Sequence, residues 1–186
     1  MKVAYLDLET TGTDPKLNEM IQFAAIIEID GEVVEEVNIK CQPTRWENVS
    51  KEALEVTGLT LEGLKTLPQP KEAFTQIKAL FDRHIDKFNK TDKFYPAGHN
   101  VTFDLDFLQA FWKQHGDIYG TGSYQNWQCL DSRILANFLR FKKKIEVENN
   151  KLETLCKFYD IELKAHDALN DIRATRTLIK KMMESI

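Results

Sequence analysis

Apolar residues come first in short unbroken runs and later recur at every third or fourth position, a change of period that predicts strands followed by helices. Val3 to Leu8 is a run bounded by the turn signal TTGTDP and reads as a central strand. Met20–Asp30 and Glu32–Lys40 flank Gly31, and Asp30-Gly31 suits a hairpin turn, so two antiparallel strands are expected beside the first. Residues 50–67 predict a short helix and loop, with Ser50 as cap and Gly58 as stop, before Pro68 and Pro70 break the chain. Ala73, Phe74, Ile77, Leu80, Phe81 and Ile85 are spaced for a helix from Lys71 to about Phe88. A strand at 93–98, a helix at 101–114, a strand at 126–131, helices near 131–141 and 151–159, and a final helix over about 167–184 complete the pattern. Strands and helices alternate after an opening meander, which defines an α/β fold with a five-stranded mixed sheet flanked by helices.

Several acids break this pattern. Asp7 and Glu9 end the first strand one residue apart, and residues i and i+2 of a strand share a face, roughly 6–7 Å apart. In helix 101–114, at about 100° per residue, Val101, Asp104, Leu105, Leu108, Phe111 and Trp112 share one side. Thr102, Asp106, Gln109 and Lys113 share the other. Asp106 is an ordinary surface acid, whereas Asp104 lies inside the apolar stripe, where an uncompensated carboxylate costs several kcal/mol. The commonplace alternative is an acid favoured by the helix dipole. In the final helix Asp171 belongs to the inward stripe with Ala168, Thr175, Leu178 and Met182, opposite Arg173, Arg176, Thr177 and Lys180. Asp167 reads as an N-cap. His166 enters that helix from the loop, and a single loop histidine carries no role by itself.

Taken together, acids sit at the ends of separate elements, where α/β folds build their sites. Carboxylates of this kind suit Mg²⁺ or Mn²⁺. Two divalent ions would offset the charges of Asp7, Glu9, Asp104 and Asp171, and two metals about 3.5–4 Å apart are a recurring device for phosphoester hydrolysis. The shared face of Asp7 and Glu9 is thereby explained by cations between them.

Composition bounds the rest. The 186 residues, 42% hydrophobic and 29% charged, fit one soluble domain spanning 1–186. No run approaches the roughly 18 apolar residues of a membrane span, and the early strand carrying Asp7 argues against a secretory signal. Cys41, Cys129 and Cys156 are widely spaced, as free thiols of a cytoplasmic protein would be. A net charge of −4 argues mildly against a nucleic-acid binder, unless the acids hold cations that invert the local field. The basic runs Lys142–Lys144 and Lys180-Lys181 read as solvated helix ends.

Three stretches carry a family resemblance: DLETTG at 7–12, GHNVTFDLDFL at 98–108 and HDALNDIRAT at 166–175. They resemble the three motifs of DnaQ-like 3′–5′ exonucleases, the histidine subtype of the DEDD group, which includes the proofreading domains of PolC-type DNA polymerase III. ALEVTGLT at 53–60, CLDSRILA at 129–136 and LETLCKFYDIELKAHDALND at 152–171 extend the likeness over nearly the whole chain. The resemblance implies a ribonuclease H-like fold and two Mg²⁺ or Mn²⁺ ions held by Asp7, Glu9, Asp104 and Asp171, with Asp7 bridging. It implies His166 as the general base that takes a proton from the attacking water, a role that a pKa near 6.5 suits. It also implies that backbone groups near Thr10 and Thr11 meet the terminal 3′-hydroxyl, with Gly12 among the substrate-binding residues, and that Leu61 and Phe103 contact the terminal bases. Asn100 is a weaker candidate that reads equally as a helix N-cap. The implied substrate is single-stranded DNA or frayed 3′ ends in proofreading or repair, with a DNA polymerase as partner. RNA is the alternative, since sugar choice rests on the 2′-hydroxyl. A non-catalytic nucleic-acid-binding module would be expected to lack a ligand or the base, and all five positions are filled.

Overall fold

The computed structural model describes residues 1–163 and 167–186. β1 (Lys2–Thr10), β2 (Met20–Ile29) and β3 (Glu32–Lys40) form the opening meander. The turn between β2 and β3 is tight because Asp30 and Gly31 both take positive φ, 51° and 94°, as a two-residue hairpin loop demands. β4 (Tyr95–Gly98) and β5 (Leu130–Asp131) then add on the other side of β1, parallel to it. The sheet order is β3-β2-β1-β4-β5, so β1 is central, with β2 antiparallel on one side and β4 parallel on the other. Among the described residues seven α-helices accompany these strands: α1 (Lys51–Thr57), α2 (Leu61–Lys65), α3 (Pro70–His84), α4 (Val101–Gln114), α5 (Ser132–Phe141), α6 (Leu152–Phe158) and α7 (Ala168–Glu184).

The alternation along β1 decides which helix meets which residue. Ala4, Leu6 and Leu8, with Phe23, Ala25 and Ile27 of β2, pack against Ile77 and Phe81 of α3 and Leu108 and Trp112 of α4. Val3 and Tyr5, with Ala24 and Ile26, face Ala168, Ile172 and Ile179 of α7. With both faces covered, β1 and β2 are apolar almost throughout, which is why they read as unbroken runs. A third cluster joins α5, α6 and α7 through Ala136, Leu139, Leu155, Cys156, Leu178 and Met182.

The loop expected after Gly58 contains α2, capped by the Thr60 hydroxyl, and three further elements differ from expectation. The strand expected over 126–131 shrinks to Leu130–Asp131, because Asn126 accepts the Gln128 N–H in a side-chain turn. The helix expected to reach Phe88 stops at His84, where Ile85 turns extended and Asp86 captures the Phe88 N–H. The basic side of α7 is not a free surface. Arg176 and Lys180 pair with Glu28 of β2, and Arg173 pairs with Glu36 of β3. The three cysteines are free thiols as expected. No helix among the described residues is long and apolar enough to cross a membrane.

Candidate active site

The odd-numbered face of β1 carries Asp7 and Glu9 toward α7, and Asp171 lies in the first turn of that helix. One oxygen from each of these three carboxylates lies within 4.8 Å of the others. Asp167 fixes the start of α7 by accepting the Asn170 N–H at 3.1 Å, as its position predicted. Asp104 arrives from the other side of the sheet, because α4 packs on the Leu6–Leu8 face. β4 runs out at Gly98, and the Leu8 N–H of β1, beyond that end, donates to the Asp104 carboxylate at 2.9 Å. Asp104 thus borders the three-acid group from the other face of the sheet, near enough for its charge to act on Asp7. Its helix contributes Phe107 as well as the predicted residues to the core.

Burial pushes the Asp7 carboxyl well above the usual carboxylate range, and Asp104, Glu9 and Asp171 push it further in the same direction. Burial also raises Glu9, to about 7, with Asp171 and Asp167 adding repulsion and only Lys40 opposing. Asp104 is raised by burial against the pull of the Leu8 N–H. Such a group of hard oxygen donors, crowded and raised by its own charge, fits a divalent cation that prefers carboxylates.

A pH dependence follows. Glu9 has an unfolded value of 4.5 and a folded value of about 7, so the folded state holds its proton more tightly. Metal-free protein is therefore most stable below pH 4.5 as far as this group is concerned, and loses on the order of 2–3 kcal/mol as pH rises to 7. Acids whose folded values are depressed, such as Glu19 and Asp82, act in the opposite sense at lower pH. Thermal melts in EDTA should thus show a lower midpoint at pH 7.5 than at pH 5, a difference that narrows in Glu9→Gln and that Mg²⁺ or Mn²⁺ abolishes. An EDTA melt rising steadily from pH 5 to 7.5 would contradict this account.

Beside the acids opens a cleft of about 570 Å³. Leu8, Ala53, Val56 and Phe103 give it apolar walls, while Glu9, Thr10, Asn18 and Thr57 are among its polar lining, and Gly12, just past the end of β1, lines it too. Of the substrate positions expected from sequence, Thr10, Gly12 and Phe103 line this cleft. The Thr11 hydroxyl accepts the Glu19 N–H at 2.9 Å. Leu61 is exposed at the start of α2 and Asn100 precedes α4, and neither is among the residues lining the cleft, whereas Val56 of α1 is. Gly12 cannot be replaced without moving Asn18, since an added Cβ would lie 2.5 Å from that side chain. Asn18 is itself held by the Asn48 carbonyl at 2.7 Å. His166 lies outside the described residues.

Asn100 caps nothing with its side chain. It takes a left-handed φ of 70°, and Asp131 does the capping from the neighbouring strand. One Asp131 oxygen accepts the Val101 N–H of α4 at 2.8 Å, and the other accepts the Arg133 N–H of α5 at 2.8 Å. Behind α4, buried Glu19 gathers the backbone N–H groups of Thr44 and Arg45, both at 2.7 Å, and the Gln114 amide at 2.6 Å. Neither acid was singled out from sequence. For Asp131 the signal was available in the Asp-Ser start of a helical run, but its second partner lies thirty residues away.

Residues 5–179 match the model of the RNase T-type exonuclease family, and the chain belongs to that family. Among curated proteins, DNA polymerase III PolC-type of Bacillus cereus is 30% identical over 181 residues, and that of Halalkalibacterium halodurans is 29% identical over 179. The alignments take in 97% and 96% of this chain but 11% of either relative, so the chain spans about a tenth of their length. Among solved structures, E. coli Exonuclease I in complex with a dA16 oligonucleotide superposes with a TM-score of 0.73 at 27% identity, over 97% of this chain and 41% of that one. These likenesses agree with the five-stranded ribonuclease H-like topology described above.

Proposed function

We propose that the protein is a metal-dependent 3′–5′ exonuclease that releases nucleoside 5′-monophosphates from single-stranded or frayed DNA ends. The observation that carries this reading is the acid group of Asp7, Glu9 and Asp171, of which Glu9 also lines a cleft walled by Phe103 and Val56. The family membership supports hydrolysis of a phosphodiester. The named relatives, a DNA polymerase and a nuclease bound to a DNA oligonucleotide, favour DNA and a role beside a polymerase. Asp7, Glu9 and Asp171, with Asp104 at their border, would hold two Mg²⁺ or Mn²⁺ ions. When bound, these supply Lewis acidity at the scissile phosphate and neutralise charge on the attacking and leaving oxygens.

The chain's own residues do the rest. The apolar walls take the terminal base without regard to its identity, because every base offers a flat face to Phe103. Thr10 and Gly12 meet the terminal sugar and its 3′-hydroxyl. His166 takes the proton of the attacking water; the phosphodiester then breaks, leaving a 5′-mononucleotide and a strand one residue shorter with a new 3′-hydroxyl. Asp104 holds β1 against α4 through the Leu8 N–H, which fixes the depth at which Asp7 and Glu9 stand.

A 5′-labelled single-stranded oligonucleotide tests the reading. With Mg²⁺ it should shorten in single-nucleotide steps, a 3′ label should leave in the first product, and EDTA should stop both. Internal cleavage, or no mononucleotide release with either Mg²⁺ or Mn²⁺, would overturn it. An RNA strand of the same sequence reads sugar preference directly. His166→Ala is expected to lower turnover by about 10²–10⁴-fold, the usual contribution of a general base, and to flatten the acidic limb of the pH–rate profile. An unaltered profile would remove His166 from the proton transfer.

A further inference from the structure

The twelve residues 133–144, RILANFLRFKKK, contain five basic residues and no acid, in a chain whose net charge is −4. Most of them form α5, and the structure gives that helix two unlike faces. Ala136 and Leu139 are buried against α6 and α7. On the outer side Ile134, Phe138 and Phe141, spaced i, i+4 and i+7, make one narrow apolar stripe in solvent, with Phe141 88% exposed and Ile134 63% exposed. Scattered apolar residues on a surface need no explanation, but a contiguous stripe does.

The charge around the stripe limits what can cover it. Arg133 and Arg140, seven residues apart, follow one flank of the helix, and Lys142–Lys144 close its end. Lys142 lies over the Phe138 ring, 5.3 Å from its centroid. No carboxylate among the described residues forms an ion pair with any of these five cations, and the next acids in the chain, Glu146 and Glu148, come after the lysine run. A second copy of this chain pairing face to face would set these cations against themselves. The fitting occupant is polyanionic and offers flat apolar surfaces of its own. Rings interleaved with lysine and arginine, in place of base-reading side chains, are what a single-stranded nucleic acid uses for sequence-independent contact.

The location agrees. Asp131 ties the first turn of α5 to the first turn of α4, the helix of Asp104, so α5 starts beside the acid site. It extends from there for ten residues, about 15 Å. We propose that the outer face of α5 and the lysine run after it form an accessory binding surface for the single strand upstream of the scissile bond. This rests on the reading of the chain as an exonuclease on single strands, and deepens it by naming where the rest of the substrate lies.

Fluorescence anisotropy of a 5′-labelled oligothymidylate of about 20 nucleotides, in EDTA, tests the surface without any need for turnover. The variants are Phe141→Ala and the triple change Lys142→Glu, Lys143→Glu, Lys144→Glu, at exposed positions whose folding is checked by thermal melts. The triple variant should bind at least tenfold more weakly. Its slope of log Kd against log salt should be shallower by about 2, three lost phosphate contacts at roughly 0.7 each. Phe141→Ala should weaken binding severalfold while keeping the wild-type salt slope. In parallel, the advantage in kcat/KM of the long strand over a trinucleotide should shrink with binding. Wild-type affinity and salt slope in the triple variant would overturn the proposal and leave the face to a protein partner. Failure of wild-type protein to cleave the trinucleotide with Mg²⁺ or Mn²⁺ would instead count against the exonuclease reading, while the anisotropy arm still decides the surface.

Discussion

Asp7→Asn is expected to lower mononucleotide release by at least about 10²–10³-fold, the scale on which one lost electrostatic contributor counts in a desolvated site, while raising the thermal midpoint of the metal-free protein. The two effects have one cause. Asp7 sits in the middle of the acid group, and burial together with Asp104, Glu9 and Asp171 disfavours its charge. Removing that charge relieves repulsion in the apo protein, and it also removes the donor placed best to share a cation with both neighbours. A carboxylate kept for stability alone would behave differently, since breaking a buried structural pair destabilises. Melts in EDTA alongside product release under Mg²⁺ separate the two cases. Loss of both activity and stability in Asp7→Asn would mean that the acid group is structural.

Asp131→Ala should produce the largest loss of stability of any single change near the site. Three backbone N–H groups, of Val101 and Arg133 at 2.8 Å and of Ile134 at 3.4 Å, rely on its two oxygens, and Asp131 is almost fully buried. Removing a cap costs about 1 kcal/mol and leaving a buried donor unmet costs about 1–3 kcal/mol, so urea denaturation should show a loss of roughly 2–4 kcal/mol. Asp131→Asn keeps a single acceptor oxygen for two helices, and should fall between Ala and wild type. Turnover should fall with the Ala change as well, because α4 carries Asp104 to the Leu8 N–H. An Ala variant with wild-type stability would show that water satisfies these donors and that the two helices are held elsewhere.

How much of this was legible in the sequence depends on how far apart the interacting residues are. Elements governed by local pattern read well. β1 and the Asp30-Gly31 hairpin follow from runs and turn chemistry, and α4 begins and ends at the predicted Val101 and Gln114. The Ser50 cap and the Gly58 stop of α1 are both present, Ser50 accepting the Ala53 N–H and Gly58 taking φ of 65°. Segments where side chains compete with the ladder read poorly, as at Asn126, where the expected strand loses its first four residues and begins only at Leu130. In the site, periodicity identified Asp104 and Asp171 as inward acids. It did not show that they approach from opposite faces of the sheet, which leaves Asp104 hydrogen-bonded to the strand while Asp171 joins Asp7 and Glu9. Residue spacing likewise gave no view of the Glu19 network, whose partners Thr44 and Gln114 lie 25 and 95 positions away. The lysine run after α5 was read as a solvated end, because the apolar stripe beside it gains significance once its outward face is known.

The central claim is that carboxylates carried by separate elements are gathered to hold divalent cations. Anomalous diffraction from crystals soaked in manganese addresses it without reference to any substrate. The account predicts strong peaks among the carboxylate oxygens of Asp7, Glu9 and Asp171, two of them when a nucleotide is also present, and loss of the signal in Asp7→Asn. Fully soaked crystals with no peak at these three residues would contradict it.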